Sequence, residues 1–102
     1  MSIFRNLFGK KTDFKSLVDQ GAVILDVRTP AEFNSGHIQG SKNIPLDQVK
    51  SSLTKIKQYN KPVITVCRSG ARSAVAESII SVSGIEAYNG GAWTSLNSSL
   101  GK

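Results

Sequence analysis

Residues 62–73 read Pro-Val-Ile-Thr-Val-Cys-Arg-Ser-Gly-Ala-Arg-Ser, and this stretch decides the fold that the sequence predicts. Its first part, Val63–Val66, is largely apolar and rich in β-branched residues, which is typical of a buried strand. From Arg72 onward, apolar residues recur at helical spacing as far as Gly84. The stretch therefore predicts a strand, a short loop that begins at Cys67, and a helix.

Strand and helix patterns also alternate on the N-terminal side of this unit. Ala22–Val27 is apolar apart from Asp26, which predicts a strand that is covered on both faces and ends at Asp26. The next residues match a helix start with a side-chain cap, a proline in the first turn and a capping-box glutamate; they are Thr29, Pro30 and Glu32. Gly36 predicts the end of this helix.

The remaining patterns complete an alternating arrangement. We expect a short strand at Ile44, then a helix with one apolar face, and a last strand over Ile85–Tyr88. The apolar face carries Leu46, Val49, Leu53 and Ile56. Because parallel strands need crossover connections, the alternation predicts an α/β fold: a small, doubly wound, mostly parallel sheet with helices on both faces.

The chain of 102 residues is long enough for one compact domain but too short for two. We assign residues 12–102 to a single domain and residues 1–11 to an N-terminal amphipathic extension. The apolar residues of the extension have helical spacing and lie beside basic ones; they are Ile3, Phe4, Leu7 and Phe8. The extension could contact a membrane surface or a partner, but its shortness favours docking on the domain.

The composition is that of a soluble globular protein with excess positive charge. The 13 Lys and Arg outnumber the 7 Asp and Glu, but they are scattered rather than interleaved with aromatic residues, so we expect no nucleic-acid partner. No apolar stretch approaches the length that spans a bilayer, and the first residues lack the apolar segment of a secretion signal. We therefore expect no stable membrane insertion and a cytoplasmic location. We separately expect a monomer.

Cys67 is the only cysteine in the sequence, and His37 is the only histidine. One cysteine cannot form an intramolecular disulfide, and the two residues together cannot supply the four ligands of a structural zinc site. Both common structural uses of cysteine are thereby excluded. We expect neither a metal nor a cofactor. A cysteine hydrolase would ordinarily pair its thiol with a histidine, and His37 is distant in sequence.

The loop after the central strand has the composition of an anion-binding site. At a helix N-terminus, free backbone N–H groups and the positive end of the helix dipole converge on the loop, and Gly70 can adopt backbone angles closed to other residues. The same donors stabilise a thiolate, so we expect a lowered pKa for Cys67. Arg72 is unfavourable at a helix start unless an anion lies nearby. The predicted catalytic residue is Cys67, and the predicted substrate-binding residues are Arg68, Ser69, Gly70, Ala71, Arg72 and Ser73.

Several short motifs along the chain resemble those of the rhodanese family. They are Leu25-Asp26-Val27-Arg28, Glu32-Phe33, Gly36-His37-Ile38, Gly40, Asn43-Ile44-Pro45, the loop from Cys67 to Ser73, and Gly90-Gly91 with Trp93. The resemblance runs from about Asp13 to about Leu96, in the order that the family shows. It implies a rhodanese-like fold and a sulfurtransferase. In that reaction Cys67 would take sulfane sulfur from thiosulfate, glutathione persulfide or a protein persulfide and pass it to a thiol or cyanide.

Two other functions stay open on the sequence. Cysteine-dependent phosphatases and arsenate reductases also place a thiolate in an anion-binding loop, but their C-x5-R motif is one residue longer than the segment from Cys67 to Arg72. The second alternative is a non-catalytic binding module or sulfur carrier, although binding modules of this kind often lack the cysteine.

Four residues outside the loop are interpreted as structural. Asp26 and Arg28 lie at a strand end, and Arg28 is placed to pair with Glu32 four positions further on. His37 follows a helix end and is interpreted as a positioned structural residue. Trp93 is assigned to the core rather than to a ligand.

Overall fold

The strands of this protein form one parallel sheet. The computed structural model describes residues 12–101, so the predicted extension of residues 1–11 lies outside the described residues. Within them the strands are β1 (Val23–Asp26), β2 (Lys42–Asn43), β3 (Val63–Cys67) and β4 (Ala87–Ala92). Their order in the sheet is β2-β1-β3-β4, and every pairing between neighbours is parallel, which confirms the predicted α/β class.

Helices cover both faces of the sheet, as predicted. They are α1 (Phe14–Asp19), α2 (Pro30–Asn34), α3 (Leu46–Val49), α4 (Leu53–Gln58), α5 (Ala71–Val82) and α6 (Trp93–Ser99), with a 3-10 turn over Lys50–Ser52. On one face, α3, α4 and α5 pack against Leu25 and Val63. On the other face, α1 and α6 pack against Ile24 and Ile64, so successive strand residues serve opposite faces. No helix within residues 12–101 is long and apolar enough to cross a membrane.

The predicted helix start after β1 is confirmed. The Thr29 hydroxyl accepts a hydrogen bond from the Glu32 amide at 3.2 Å, and the Glu32 carboxylate accepts one from the Thr29 amide at 3.0 Å. Pro30 is the first residue of α2. The capping residues thus fix where the chain enters α2.

The short strand predicted at Ile44 lies just before that residue. Ile44 directly follows β2 instead of lying within it, although its side chain is buried.

The apolar face predicted after Pro45 is confirmed, but two helices carry it. Val49 in α3 and Ile56 in α4 are fully buried. The 3-10 turn between them interrupts the helix, and there the Ser51 hydroxyl donates to the Gln48 carbonyl at 3.1 Å. Serine side chains that bond to nearby backbone groups compete with helical structure. The prediction of one continuous helix was therefore wrong.

β4 begins later and runs further than the sequence predicts. It spans Ala87–Ala92 instead of Ile85–Tyr88, and it continues through the pair Gly90-Gly91. Gly90 lies so close to β3 that a Cβ atom would sit 2.8 Å from Cγ2 of Ile64. Glycine therefore permits close strand packing here rather than ending the strand.

The same glycine forms a bulge in β4. Thr65 of β3 pairs with Asn89 of β4, whereas Val66, the next residue of β3, pairs with Gly91. Gly90 is therefore the extra residue in β4. Bulges change the direction of neighbouring side chains and are common beside functional sites. This bulge lies next to the C-terminal end of β3, where the predicted loop begins.

Helix α5 turns a row of side chains inward. Ala76 and Ile80 are fully buried, and so is Ser73 in the first turn of the helix. Val75 and Val82 belong to the same apolar pattern in the sequence, yet they are 51% and 88% exposed. A serine therefore occupies the inward position at the start of α5, close to the end of β3.

Candidate active site

Cys67 is the last residue of β3, and its side chain is buried with 1% exposure. The loop that follows leads directly into α5, whose N-cap is Gly70. Gly70 has a φ of 102°, in the left-handed region that favours glycine, as the loop composition predicted. Strand, loop and helix are thus placed as the sequence indicates.

Backbone amides converge on the sulfur of Cys67. The Gly70 amide donates to Sγ at 3.0 Å, and the Ser73 amide donates to it at 3.4 Å. The Ser73 hydroxyl also lies 3.3 Å from Sγ. The thiol is therefore shielded from solvent but surrounded by hydrogen-bond donors, which is an environment suited to an anionic sulfur.

These contacts lower the pKa of Cys67. Burial of the thiol raises its pKa, but the hydrogen bonds from the Ser73 hydroxyl and from the amides of Ser73, Gly70 and Ser69 more than offset that effect. The pKa therefore lies below the ordinary value for cysteine. Because the thiolate is the nucleophilic form, the loop favours the reactive state of the sulfur.

Arg72, at the start of α5, forms an ion pair with Glu32. Nη1 and Nη2 of Arg72 lie 2.8 and 3.0 Å from the two carboxylate oxygens of Glu32. The hydrogen bond from Arg72, followed by that from the Thr29 amide, lowers the pKa of Glu32 to about 2. The anion that compensates Arg72 at the helix start is therefore a side chain of the protein itself.

The remaining loop residues lie on its outer side. Arg68 and Ser69 are exposed, and Arg68 forms no salt bridge with any residue in the described range 12–101. Ala71 is exposed as the first residue of α5. Within that same range no three His, Cys, Asp or Glu side chains cluster as a metal site would require.

Asp26 and Arg28 form a buried ion pair at the end of β1. The Asp26 carboxylate accepts hydrogen bonds from Nε and Nη2 of Arg28, the latter at 2.7 Å. Arg28 also donates to the carbonyls of Gly36 and Glu32, and its guanidinium lies 4.7 Å from the ring centroid of Trp93. The predicted side-chain pair between Arg28 and Glu32 was wrong, because Asp26 holds the guanidinium and Arg72 takes the Glu32 carboxylate.

His37 and Trp93 both have structural contacts. Nδ1 of His37 lies 2.8 Å from the carbonyl oxygen of Phe33, and the two rings stack with centroids 3.7 Å apart. Trp93 is partly buried and packs against the core on the α6 face. These contacts confirm that both side chains are held by the fold.

Asn89 was missed by the sequence analysis. Its Oδ1 accepts hydrogen bonds from the Ser73 hydroxyl at 2.7 Å and from the Gly91 amide at 2.9 Å, while its Nδ2 donates to the Gly70 carbonyl at 3.3 Å. The only signal in the sequence was a polar residue directly before a glycine pair. Its position beside the loop depends on the pairing of β4 with β3, which a single sequence does not reveal.

The fold and this loop define a parallel α/β domain that presents one thiol to converging backbone amides. The chain belongs to the rhodanese-like domain family, whose model matches residues 10–93. The resemblance seen in the sequence is thereby confirmed.

Individual relatives support the same assignment. Thiosulfate sulfurtransferase PspE of Escherichia coli (strain K12) is 38% identical over 61 residues, which are 59% of this chain and 59% of PspE. A structure described as rhodanese with anions from E. coli has a TM-score of 0.65 and 33% identity, over 72% of this chain and 89% of that chain. The human single-domain sulfurtransferase TSTD1 has a TM-score of 0.61 and 27% identity, over 78% and 85% of the two chains. This chain spans between 52% and 59% of the length of three curated relatives that it matches.

Proposed function

We propose that this protein is a sulfurtransferase that carries sulfane sulfur as a persulfide on Cys67. The observation that carries the proposal is the pair of amides, from Gly70 and Ser73, that point at Sγ from 3.0 and 3.4 Å. These donors would stabilise a negative charge on the sulfur before and after loading. The relatives named as thiosulfate sulfurtransferases support the same reaction class.

The reaction would proceed in two displacement steps. In the first, the Cys67 thiolate attacks the outer sulfur of thiosulfate; the new S–S bond forms as the old one breaks, and sulfite leaves with the bonding electron pair. In the second, a thiolate or cyanide attacks the outer sulfur of the persulfide, and the Cys67 thiolate is released. No external oxidant or reductant is needed, because sulfane sulfur is transferred without net electron change.

We assign the loop from Arg68 to Ser73 to the binding of the sulfur donor. Arg68 is exposed and unpaired among residues 12–101, so its charge is available to an oxyanion such as the sulfite group. Arg72 is engaged with Glu32, so its charge is partly compensated before any donor arrives. We therefore expect Arg68→Ala to raise KM for thiosulfate more than Arg72→Ala does, and both variants to affect a neutral persulfide donor less.

Mass spectrometry of the intact protein after exposure to donors tests the proposal. One added sulfur should appear on Cys67 with thiosulfate, and adding cyanide should remove it and form thiocyanate. The Cys67→Ser variant, which keeps the size of the side chain, should fold normally and gain no sulfur. Sulfur on the wild-type protein at another residue, or thiocyanate production by the variant, would refute the proposed mechanism.

The same measurement separates catalysis from a carrier role. Glutathione persulfide and a cysteine desulfurase with its substrate are offered in parallel with thiosulfate. Loading by the desulfurase alone would indicate a sulfur carrier that works between proteins, whereas turnover with thiosulfate indicates a small-molecule enzyme. An aryl phosphate in a further sample should give no turnover, because the Arg72 charge is compensated by Glu32.

A further inference from the structure

The Ser73 hydroxyl has more partners than it has protons. Its Oγ lies 2.7 Å from Oδ1 of Asn89, 3.1 Å from the carbonyl oxygen of Gly70 and 3.3 Å from Sγ of Cys67. A serine hydroxyl donates one hydrogen bond and accepts up to two. It can therefore donate to only one of these three atoms at a time.

The distances place the hydroxyl proton on the Asn89 side. The contact with Oδ1 is the shortest of the three, and an amide oxygen is a better acceptor than a neutral thiol. In this arrangement Oγ offers a lone pair to Cys67, which suits a protonated thiol that donates its own S–H. An anionic sulfur requires the opposite arrangement, in which the hydroxyl turns and donates to sulfur.

Asn89 keeps hydrogen-bond partners when the Ser73 hydroxyl rotates towards the sulfur. Its Oδ1 keeps the hydrogen bond from the Gly91 amide at 2.9 Å when the hydroxyl leaves, so the oxygen is not left without a donor. The Asn89 side chain is exposed, and water can replace the lost bond. The other acceptor within reach of the hydroxyl, the Gly70 carbonyl, already accepts from the Ala74 amide at 3.1 Å as well as from Nδ2 of Asn89 at 3.3 Å, and the bond from Ala74 does not depend on Asn89.

We propose that Asn89 is a positioning residue that holds the Ser73 hydroxyl while Cys67 is a neutral thiol and releases it when the sulfur becomes anionic. Ser73 would then serve both the resting thiol and the persulfide of the proposed sulfurtransferase. The role of Ser73 toward the persulfide rests on the proposed function. The coupling of Asn89 to the ionisation of Cys67 through Ser73 does not require sulfur transfer, and it is tested without it.

The charged groups around Cys67 do not depend on Asn89 for their positions. Arg68, the next residue in the loop, is exposed and forms no salt bridge within residues 12–101. Arg72 of α5 is the cation that interacts electrostatically with Cys67; it is paired with Glu32 of α2 and also interacts with Asp26 at the end of β1. None of these side chains contacts Asn89 through a hydrogen bond that the structure describes. Removing the amide therefore leaves the surrounding charges in place.

The test is a double-variant cycle on the reactivity of the thiol. The rate of alkylation by iodoacetamide is measured against pH for the wild type, Asn89→Ala, Ser73→Ala and the double variant. Below the pKa of Cys67, the rate follows the thiolate fraction. Asn89→Ala should raise the alkylation rate about two- to ten-fold, because the net free energy of one hydrogen bond corresponds to a factor of that size. Ser73→Ala should lower the rate, and Asn89→Ala should have no effect in the Ser73→Ala background.

Two further variants make the result specific. Asn89→Asp adds a negative charge that slows alkylation by repulsion in any background, but it also holds the hydroxyl more firmly, so it should slow alkylation more when Ser73 is present than in the Ser73→Ala background. Gln58→Ala removes an exposed amide at the end of α4, before the opposite end of β3, and should leave the rate unchanged. Thermal unfolding followed by circular dichroism verifies that each variant is folded.

The proposal is overturned if Asn89→Ala changes the alkylation rate equally in the wild-type and Ser73→Ala backgrounds, or if Asn89→Asp does so. Either result would show that Asn89 acts on the loop without the Ser73 hydroxyl. The outcome is independent of the persulfide assay. If Cys67 is never loaded with sulfur while the cycle shows coupling, the proposed function fails and the role of Asn89 stands.

Discussion

The buried ion pair between Asp26 and Arg28 predicts a large loss of stability on Asp26→Asn. The substitution preserves the size of the side chain but removes the negative charge. The two side chains are 0% and 5% exposed, so the Arg28 guanidinium would stay in the interior without a counter-charge. Its other contacts are two backbone carbonyls and the ring of Trp93, and neither kind neutralises a full positive charge.

The expected cost follows from this burial. Removing one partner of a buried ion pair typically destabilises a protein by about 3–5 kcal/mol, because the remaining charge is left desolvated. Small domains have a free energy of unfolding of about 5–15 kcal/mol in total. The variant would therefore lose a large part of its stability, and its Tm should fall by roughly 12 °C or more, at about 4 °C or more per kcal/mol for a domain of this size.

Urea unfolding followed by circular dichroism measures this loss. Asp19→Asn is the matched control, since it removes a carboxylate from the exposed pair with Lys15, in which both side chains are 64% exposed. The control should change the free energy of unfolding by less than about 1 kcal/mol. In the double variant Asp26→Asn/Arg28→Gln no charge stays unpaired, so it should lose less than the sum of its single variants. Additive losses, or a cost for Asp26→Asn as small as that of the control, would show that the pair does not stabilise the fold as described.

Three further predictions follow from the strand packing and the titrating groups. Gly90→Ala places a methyl group 2.8 Å from Cγ2 of Ile64 and should cost about 1–3 kcal/mol in urea unfolding; no measurable loss would contradict the close approach of β4. The pKa of Glu32 is lowered from 4.5 to about 2, so the stability it contributes is complete above pH 4.5 and lost as the pH falls towards 2; Glu32→Gln should flatten acid unfolding in that range. Because the pKa of Cys67 is lowered, its alkylation rate should reach a plateau at lower pH than that of the urea-unfolded protein, and coincident profiles would argue against thiolate stabilisation.

The features that the sequence predicted correctly are those set by neighbouring residues. The apolar run of β3 leads directly into Cys67, and Gly70 takes the left-handed conformation that the turn into α5 requires. The capping box of Thr29 and Glu32 forms within one helical turn. The loop and the elements on either side of it depend on local spacing, so periodicity and capping rules were enough to place them.

The contacts that the sequence did not predict join distant segments. Spacing alone favoured a pair between Arg28 and Glu32, but the Glu32 carboxylate is taken by Arg72, 40 positions further along the chain. Asn89 reaches the loop only because β4 pairs with β3 and bulges at Gly90. Such contacts are set by strand register and packing, which local patterns do not encode.

The Glu32–Arg72 ion pair joins positions that are 40 residues apart along the chain. Its formation requires β1 and β3 to be paired already, and parallel pairing is a late, non-local event in folding. The arginine at the start of α5 is therefore unrestrained until the two strands have paired. The ion pair is thus a marker of the assembled sheet, whereas the hydrogen bonds to the sulfur of Cys67 come from residues at most six positions away along the chain.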